Sequence, residues 1–424
     1  MDGSRLWPGH PCPRDDETFS SWFARVAHAN GLPPSELFPI VLPGGHLYSR
    51  DLDRQACQTT IQAMAYHTGV MPGRLRQMTF SIWLGRLIEE DDGIHKLPWL
   101  APVGREASKK SFGQQLCPLC AAEAVPYFRM SWRLGFVTAC KKHGAMLIDR
   151  CPDCGVPISP ISGWNRKTRQ VQCWKCSHSF AEDKGEPVDP DDIAIQQALF
   201  DATQAGWMEL GDYGSVHSLA AFKILMLVFR LLASGRHALA LRSYVASRWD
   251  RGDANYVSIP RIREVEFLPP KCRQHLIRLT WALIQDWPHR FVEACRETGP
   301  QAWDLIHGRE VPFAFWHAVT FHLADPHRSF DDSEIASAKG LLERQGQIPD
   351  YRSLTTLTGA KIRPRPGMCQ PASGHLPYGI GRYWKVDGVS PQVKDAVKVA
   401  ARRDGKGVGL WLEEVLRKQL NLVN

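Results

Sequence analysis

Eight side chains of metal-binding type stand in four closely spaced pairs in the middle of this 424-residue chain. The pairs are Cys117 with Cys120, Cys140 with His143, Cys151 with Cys154, and Cys173 with Cys176. Two ligands separated by two residues can occupy two corners of a tetrahedron, and a second pair after 18 or 19 intervening residues closes it, as in zinc ribbons. The sequence therefore predicts two structural zinc ions, one held by three cysteines and a histidine and the other by four cysteines.

Two other uses of these cysteines have less support. Disulfides are disfavoured because the N-terminus has no apolar signal core, and paired cysteines in a reducing cytoplasm favour metal. A catalytic zinc is disfavoured because four protein ligands leave no position for water. Two details stay open: His178 could replace Cys176 as a ligand, and the pairs could interleave between the two sites.

The other cysteines and histidines lack metal-ligand spacing. His317 and His322 are five residues apart with no cysteine or carboxylate in register, so we interpret them as core or surface histidines. Five isolated cysteines are interpreted as packing residues: Cys12, Cys57, Cys272, Cys295 and Cys369.

The formal charge of +8 is unevenly distributed along the chain. Residues 105–180 carry a net +8 and residues 361–424 a net +7, whereas residues 1–104 carry −2 and residues 181–360 carry −5. Two zinc ions on seven thiolates lower the first value to about +5. The two basic segments favour nucleic-acid binding, and the acidic 181–360 segment becomes the candidate for protein contact.

The N-terminal segment contains two helical patterns. A first helix has Phe19 and Trp22 on its apolar face and ends at Asn30-Gly31. Residues 52–78 then read as helix, tight turn and helix, which is the outline of a helix-turn-helix with Arg74 and Arg76 on the second helix. An ordinary helical hairpin with exposed arginines is the alternative.

Helices also dominate the rest of the chain. Residues 181–192 are acidic and proline-bearing, as in a linker, and residues 193–345 show helical spacing of apolar side chains. Lys223 and Arg230 interrupt the apolar run from Leu219 to Ala233, which predicts a buried helix and no membrane span.

The C-terminal part contains two further patterns. Residues 333–359 give a second helix-turn-helix outline with a break at Gly346. A short extended run at residues 382–386 precedes helices at 391–403 and 408–420, an order that resembles a ribbon-helix-helix module. A C-terminal helical hairpin packed on the preceding domain is the alternative.

Together these patterns predict a mainly α protein in four segments: an N-terminal helix-turn-helix region (1–104), a double zinc-binding domain of tandem zinc-ribbon-like modules (105–180), a helical domain (181–360) and a basic C-terminal segment (361–424). The candidate nucleic-acid contacts are Arg74, Arg76, Arg166, Lys167, Arg169, Arg382, Lys385, Arg402 and Arg403. No phosphate loop, HExxH zinc motif or GxSxG nucleophile motif is present in the sequence, so an enzymatic function has no support.

Three motifs in one order resemble the TniQ/TnsD family of transposon target-selection proteins. They are P-x-x-D-E-x-F-S-S-W-x-x-R-x-A-x-x-N-G at residues 13–31, TGV-x-x-x-x-L-x-x-M-T at residues 68–79, and CPLC…PYFR…W…CxxH…CPDCG at residues 117–155. The similarity covers roughly the first 180 residues and is closer to TniQ than to the TnsD branch, which has a much longer C-terminal extension.

The resemblance implies a non-catalytic role in DNA transposition. Such a protein selects a target site through DNA or through a CRISPR guide-RNA effector complex and recruits a TnsC- or TniB-like AAA+ ATPase that regulates the transposase. The family's zinc-ligand positions correspond to the eight ligands named above. We expect a cytoplasmic protein that associates with the nucleoid when active, with a homodimer as one arrangement. The alternatives are a scaffold that docks on the guide-RNA complex without reading DNA, and a zinc-dependent transcription regulator.

Overall fold

The fold is described from a computed structural model. The structure describes residues 6–43, 45, 47, 51–92, 96–100, 103, 112–163, 171–250, 257–260, 267–306, 309–323, 332–350, 353–354, 357, 391–404 and 408–419. The chain divides into two compact units, Met1–His327 and Arg328–Asn424. The boundaries expected at residues 104, 180 and 360 stay predictions.

Five helices form the N-terminal region, and they are α1 (Phe19–Ala29), α2 (Pro34–Val41), α3 (Leu52–Gln55), α4 (Gln58–Thr68) and α5 (Pro72–Arg76). The Thr18 side chain accepts a hydrogen bond from the backbone N–H of Ser21 and so begins α1. The apolar side chains of α1 pack in a core of their own with those of α2 and α4. The end of α1 at Asn30 agrees with the prediction.

The predicted helix-turn-helix differs from the structure in its first helix. Ala56 and Cys57 are extended, so this helix is split into α3 and α4. The turn lies at Gly69, whose φ of 71° is in the left-handed region that glycine tolerates. The second helix, α5, has five residues.

The middle of the chain has little regular structure. It contains α6 (Pro118–Ala121) and an antiparallel pair, β1 (Ala139–Cys140) and β2 (Ala145–Met146), in which Ala139 lies opposite Met146. A segment this poor in helix and strand needs other interactions to hold its shape.

Seven helices follow, namely α7 (Pro190–Ala205), α8 (Ser218–Ala233), α9 (Ala238–Trp249), α10 (Pro270–Ile284), α11 (His289–Thr298), α12 (Ala302–Ile306) and α13 (Phe313–His322). The hairpin of β3 (Trp207–Glu209) and β4 (Ser215–His217) joins α7 to α8. One hydrophobic core runs from Phe80 to Val319 and includes side chains of the middle segment and of α8. The buried helix predicted at residues 219–233 is therefore confirmed.

In the described part of the chain, no single helix has the length and apolar character to cross a membrane. Helices α8 and α9 meet that test only as a pair, by length and composition, and they are bent by 106° relative to each other.

The second compact unit contains α14 (Asp332–Arg344), α15 (Pro391–Arg403) and α16 (Val408–Gln419). The break predicted at Gly346 agrees with its φ of 68°. Helices α15 and α16 pack together, and the Trp411 indole N–H donates to Asp404 at 2.8 Å. The extended run predicted at 382–386 lies outside the described residues, so the ribbon-helix-helix stays a prediction.

Candidate metal centres

The first four predicted ligands converge on one point. Cys117 stands at the N-cap of α6 and Cys120 lies within it, while Cys140 ends β1 and His143 follows in the turn to β2. Gly144 has a φ of 58°, and its backbone N–H donates to the Cys140 carbonyl at 2.8 Å. This closed turn brings the second ligand pair against the first.

The distances in this first cluster suit a single bound metal ion. The Cys120 and Cys140 sulfurs are 3.7 Å apart, and His143 Nδ1 lies 3.3 Å from the Cys120 sulfur. A tetrahedral zinc ion with Zn–S bonds of about 2.3 Å places its ligand atoms about 3.6–3.8 Å apart. A disulfide would need about 2.05 Å, and the cysteines of this cluster are free thiols.

The second cluster is made of two similar turns. Gly155, with a φ of 67°, donates its N–H to the Cys151 carbonyl at 2.9 Å, and Ser177, with a φ of 63°, donates to the Cys173 carbonyl at 3.0 Å. The sulfurs of Cys151 and Cys176 lie 3.6 Å apart. In each cluster the four ligand atoms lie within 4.8 Å of one another, so the sequential pairing is the one the structure supports.

His178 does not belong to the second cluster. Its Nδ1 lies 2.9 Å from Asp153 and its Nε2 lies 3.1 Å from Asp183. Burial opposes the charged imidazolium, but these two carboxylates outweigh it and raise the pKa of His178. Its nitrogens are thus engaged by carboxylates, and Cys176 is the fourth member of the second cluster.

The crowded thiols have strongly perturbed pKa values. Hydrogen bonds with Cys117 and Cys140, together with burial, raise the pKa of Cys120 far above its ordinary value. Burial raises the pKa of Cys151 to about 12, whereas the Val156 backbone N–H lowers the pKa of Cys154 to about 7. A divalent cation binds thiolates directly and displaces their protons. Both donor sets, three cysteines with a histidine and four cysteines, therefore fit a metal ion well.

Glu123 supports the histidine ligand of the first cluster. Its Oε1 lies 3.5 Å from His143 Nε2 and accepts a hydrogen bond from the Lys142 ammonium at 2.6 Å. A carboxylate at the second imidazole nitrogen fixes the orientation of a metal-binding histidine.

A buried ion pair joins the N-terminal helices to the middle segment. Arg133 and Asp53 are both fully buried and lie 2.6 Å apart, and Arg133 also contacts Asp51 at 2.6 Å. Asp53 further accepts hydrogen bonds from Ser20 and Gln114. No local sequence pattern indicates this network, because Arg133 and Asp53 are 80 positions apart.

Residues of the first and third motifs form the other contacts across this junction. The Thr18 N–H donates to the Phe128 carbonyl at 2.9 Å, and the Phe128 N–H donates to the Ser21 hydroxyl at 3.0 Å. Asp16 accepts hydrogen bonds from the backbone and hydroxyl of Ser131. The motif residues therefore attach α1 to the segment that carries the metal ligands.

Two buried side chains connect the middle segment to the helices after it. The Gln196 side chain on α7 bonds the backbone of Thr138 and Ala139 at 2.8–3.0 Å. Arg273 on α10 donates to the Gly135 carbonyl and, at 2.9 Å, to the Gln115 side chain. The sequence did not predict that Gln196 and Arg273 are buried, because nothing in it distinguishes a buried polar residue of an amphipathic helix from an exposed one.

The predicted nucleic-acid contacts are placed in different ways. Arg74 on α5 donates to the Arg14 carbonyl and, at 3.3 Å, to Asp15, and Arg76 donates to Gln58 at 2.8 Å. Arg403 on α15 is exposed and lies 3.6 Å from Asp404. Arg402 is on the same helix, but its side chain is not described. Five further candidates lie outside the described residues, namely Arg166, Lys167, Arg169, Arg382 and Lys385.

One cationic group was not predicted. The Arg129 guanidinium lies 4.5 Å from the ring centre of Tyr127 and 5.6 Å from that of Trp132. Arg14 lies 5.5 Å from the same Tyr127 ring. Two arginines on one aromatic ring are the kind of cation–π group that a charge count along the sequence does not reveal.

Among the described cysteines outside the two clusters, Cys12 departs from the packing prediction. Cys272 and Cys295 are buried and Cys57 is half-buried, but Cys12 is exposed, so its interpretation as a packing residue is wrong. Cys369 lies outside the described residues. His317 lies outside both clusters, and its Nδ1 is 2.7 Å from the hydroxyl of Tyr213. In the described part of the chain, the two cysteine-rich clusters are the potential metal sites.

Comparison with known protein families adds the decisive observation. Residues 8–147 match the family model of TniQ. The chain carries a TniQ domain. The match contains the first cluster, from Cys117 to His143, and both members of the Arg133–Asp53 pair, whereas the second cluster follows the match. The resemblance seen in the sequence is thus confirmed, and a TniQ domain indicates a role associated with transposition. No curated protein matches the chain.

Proposed function

We propose that this chain is a non-catalytic adaptor that selects target sites in DNA transposition. It binds target DNA or a targeting complex and recruits an AAA+ ATPase that regulates the transposase. The match of residues 8–147 to TniQ carries the proposal. The residues of the first and third motifs connect α1 to the metal-binding segment, so these contacts help to hold the matched domain together.

The metal in each cluster is zinc, and its role is structural. Three thiolates with an imidazole, or four thiolates, are donor sets that zinc prefers, and tetrahedral geometry matches the ligand spacing. Four protein ligands leave no position for a reacting water, so neither cluster is suited to catalysis. Zinc supplies a rigid crosslink, and the protein residues around it present the binding surfaces.

Target DNA is held mainly through its phosphates. Arg74 on α5, with Arg14 and Arg129 nearby on Tyr127, supports a contact at the helix-turn-helix, and the basic segment 361–424 supports a second contact. We expect the affinity for duplex DNA to fall steeply with salt, and the slope to be smaller for a protein truncated before Lys361. An unchanged slope removes the C-terminal segment from the DNA contact.

Copurification with the element's own components tests the adaptor role. The full-length chain is purified with the AAA+ ATPase, target DNA and, where the element encodes one, the guide-RNA complex. A complex that contains the ATPase, together with loss of targeted insertion when the chain is deleted, supports the proposal. Promoter binding with no effect on transposition indicates a transcription regulator and contradicts it.

A mobility shift with purified protein separates the two ways of targeting. A shift of duplex DNA by the chain alone supports direct contact with target DNA. No shift of DNA, with firm binding to the guide-RNA complex, indicates a scaffold that reaches the target through that complex.

A further inference from the structure

A groove on the first compact unit is not used by the metal centres. It lies between α7, β3 and the end of α10 and has a volume of about 470 Å³. We call it the acidic groove, and it is lined chiefly by Ala198, Ala202, Trp207, Met208, Trp281 and Ile284, with Asp201 and Glu209 also in its lining.

The lining of the groove combines small residues with aromatic side chains. Ala198 and Ala202 lie one helical turn apart on α7, so they share a face and leave room for a bulky side chain. Trp207 is 54% exposed although it packs edge-on against His217. An exposed tryptophan beside an open apolar groove is a common feature of binding surfaces.

The charge of the groove is negative. Asp201 and Glu209 are exposed, and the lining contains no lysine, arginine or histidine. Arg278, the arginine one turn before Trp281 on α10, is already held by Asp192 at 2.7 Å and by Asp250 at 3.7 Å. The two carboxylates of the groove are therefore not neutralised by this arginine.

This chemistry selects a basic occupant. A lysine or arginine over the Trp207 ring gains a cation–π interaction and can reach Asp201 or Glu209, while an adjacent apolar side chain fills the space above the alanines. A nucleic-acid phosphate would be repelled by the same carboxylates.

We infer that the acidic groove binds a segment of the AAA+ ATPase that presents a lysine or arginine next to an apolar side chain. The inference rests on the adaptor role proposed above and assigns the ATPase contact to α7, β3 and α10. It also gives the acidic 181–360 region a defined contact point.

Binding of the purified ATPase to the full-length chain tests the inference, with the affinity measured by interferometry in the presence of target DNA. Glu209→Lys and Trp207→Ala are the test variants, and both alter exposed side chains, so the fold is expected to persist. Glu297→Lys changes the charge equally at an exposed position of α11 outside the groove lining and serves as the matched control. Metal content and thermal melting confirm that each variant is folded.

We expect Glu209→Lys and Trp207→Ala to weaken ATPase binding at least tenfold, and Glu297→Lys to change it less than twofold. If both groove variants bind the ATPase as the wild type does, the groove assignment is overturned and the adaptor role stands. If the wild type itself does not bind the ATPase, the proposed recruitment fails and the groove assignment fails with it. Restored binding between Glu209→Lys and an ATPase variant with one lysine or arginine changed to glutamate supports the assignment and identifies the segment.

Discussion

The two metal clusters use similar cysteine turns but lie in different surroundings. In the first, all three cysteines are buried and His143 is half-buried, and the cluster lies inside the TniQ match. In the second, Cys151 and Cys173 are buried while Cys154 is half-buried and Cys176 is exposed. The second cluster also lies beyond the matched residues.

This difference in burial predicts different consequences when each cluster loses its metal. The first cluster is continuous with the large core and lies between segments that the Arg133–Asp53 pair and Gln196 connect. The second cluster joins two surface turns, each with one ligand in the core and one towards solvent. Loss of the first metal should therefore disturb the whole first unit, and loss of the second should act locally.

The largest expected effect is that of Cys120→Ala. Structural zinc contributes about 10–16 kcal/mol of binding free energy, which is as large as the stability of a whole domain at about 5–15 kcal/mol. We expect the variant to lose the first metal ion and to be recovered mainly as unfolded protein, measured by metal analysis and circular dichroism. Cys12→Ala, at an exposed free thiol, is the control and should match the wild type. A folded Cys120→Ala protein with both metals would contradict the prediction.

A smaller loss is expected for Asp53→Asn. This change leaves the fully buried Arg133 with one of its two carboxylates, and breaking a buried ion pair costs about 3–5 kcal/mol. The free energy of unfolding, measured in urea, should fall by up to that amount while both metals stay bound, because Asp51 still pairs with Arg133. Asp15→Asn, at an exposed partner of Arg74, should cause little change. Equal effects of the two substitutions would show that the buried pair does not stabilise the junction.

Cys176→Ala should have a milder effect on stability. The exposed ligand is lost while the core-facing Cys151 and Cys173 remain packed, so we expect local unfolding around the second cluster while the rest of the first unit stays folded. Metal analysis should find the first ion retained and the second weakened or lost. Cys151→Ala, at the buried ligand of the same cluster, should destabilise more. Loss of both ions in Cys176→Ala would mean that the clusters do not behave independently.

The smallest effect on stability is expected for Glu123→Ala. Without the carboxylate at Nε2, His143 is held less firmly, and such changes weaken metal binding by about 10–100-fold. Competition with a chromogenic chelator should show this weakening for the first ion only, with the melting temperature almost unchanged. Glu123→Gln retains an acceptor and should restore part of the affinity. Equal weakening of both ions would contradict the role of Glu123.

Local features of the fold could be predicted from the sequence. The end of α1 at Asn30 and the extent of α8 agree with the pattern of apolar and capping residues, because such signals act within a few positions along the chain. The metal ligands were predictable for the same reason, since each pair is set by one tight turn. The helix expected from Leu52 was not split in the prediction, because the extended backbone at Ala56 and Cys57 has no marker in their side chains.

Long-range features could not be predicted. Three buried hydrogen bonds join residues that lie far apart in the sequence: Asp53 and Arg133 are 80 positions apart, Gln196 and Ala139 are 57, and Arg273 and Gln115 are 158. No short stretch of sequence therefore contains both members of such a contact. The groove beside Trp207 is formed by three elements that meet only in the folded chain.

The sequence by itself determined which residues form the two candidate metal clusters, where the main helices lie and which family the N-terminal domain resembles, because spacing and capping are local properties. Only the tertiary structure decided which cluster is buried, which motif residues join α1 to the metal-binding segment and where an acidic groove opens. Burial and contact depend on how distant segments pack against one core, and two clusters with nearly the same ligand pattern thereby lie in different surroundings.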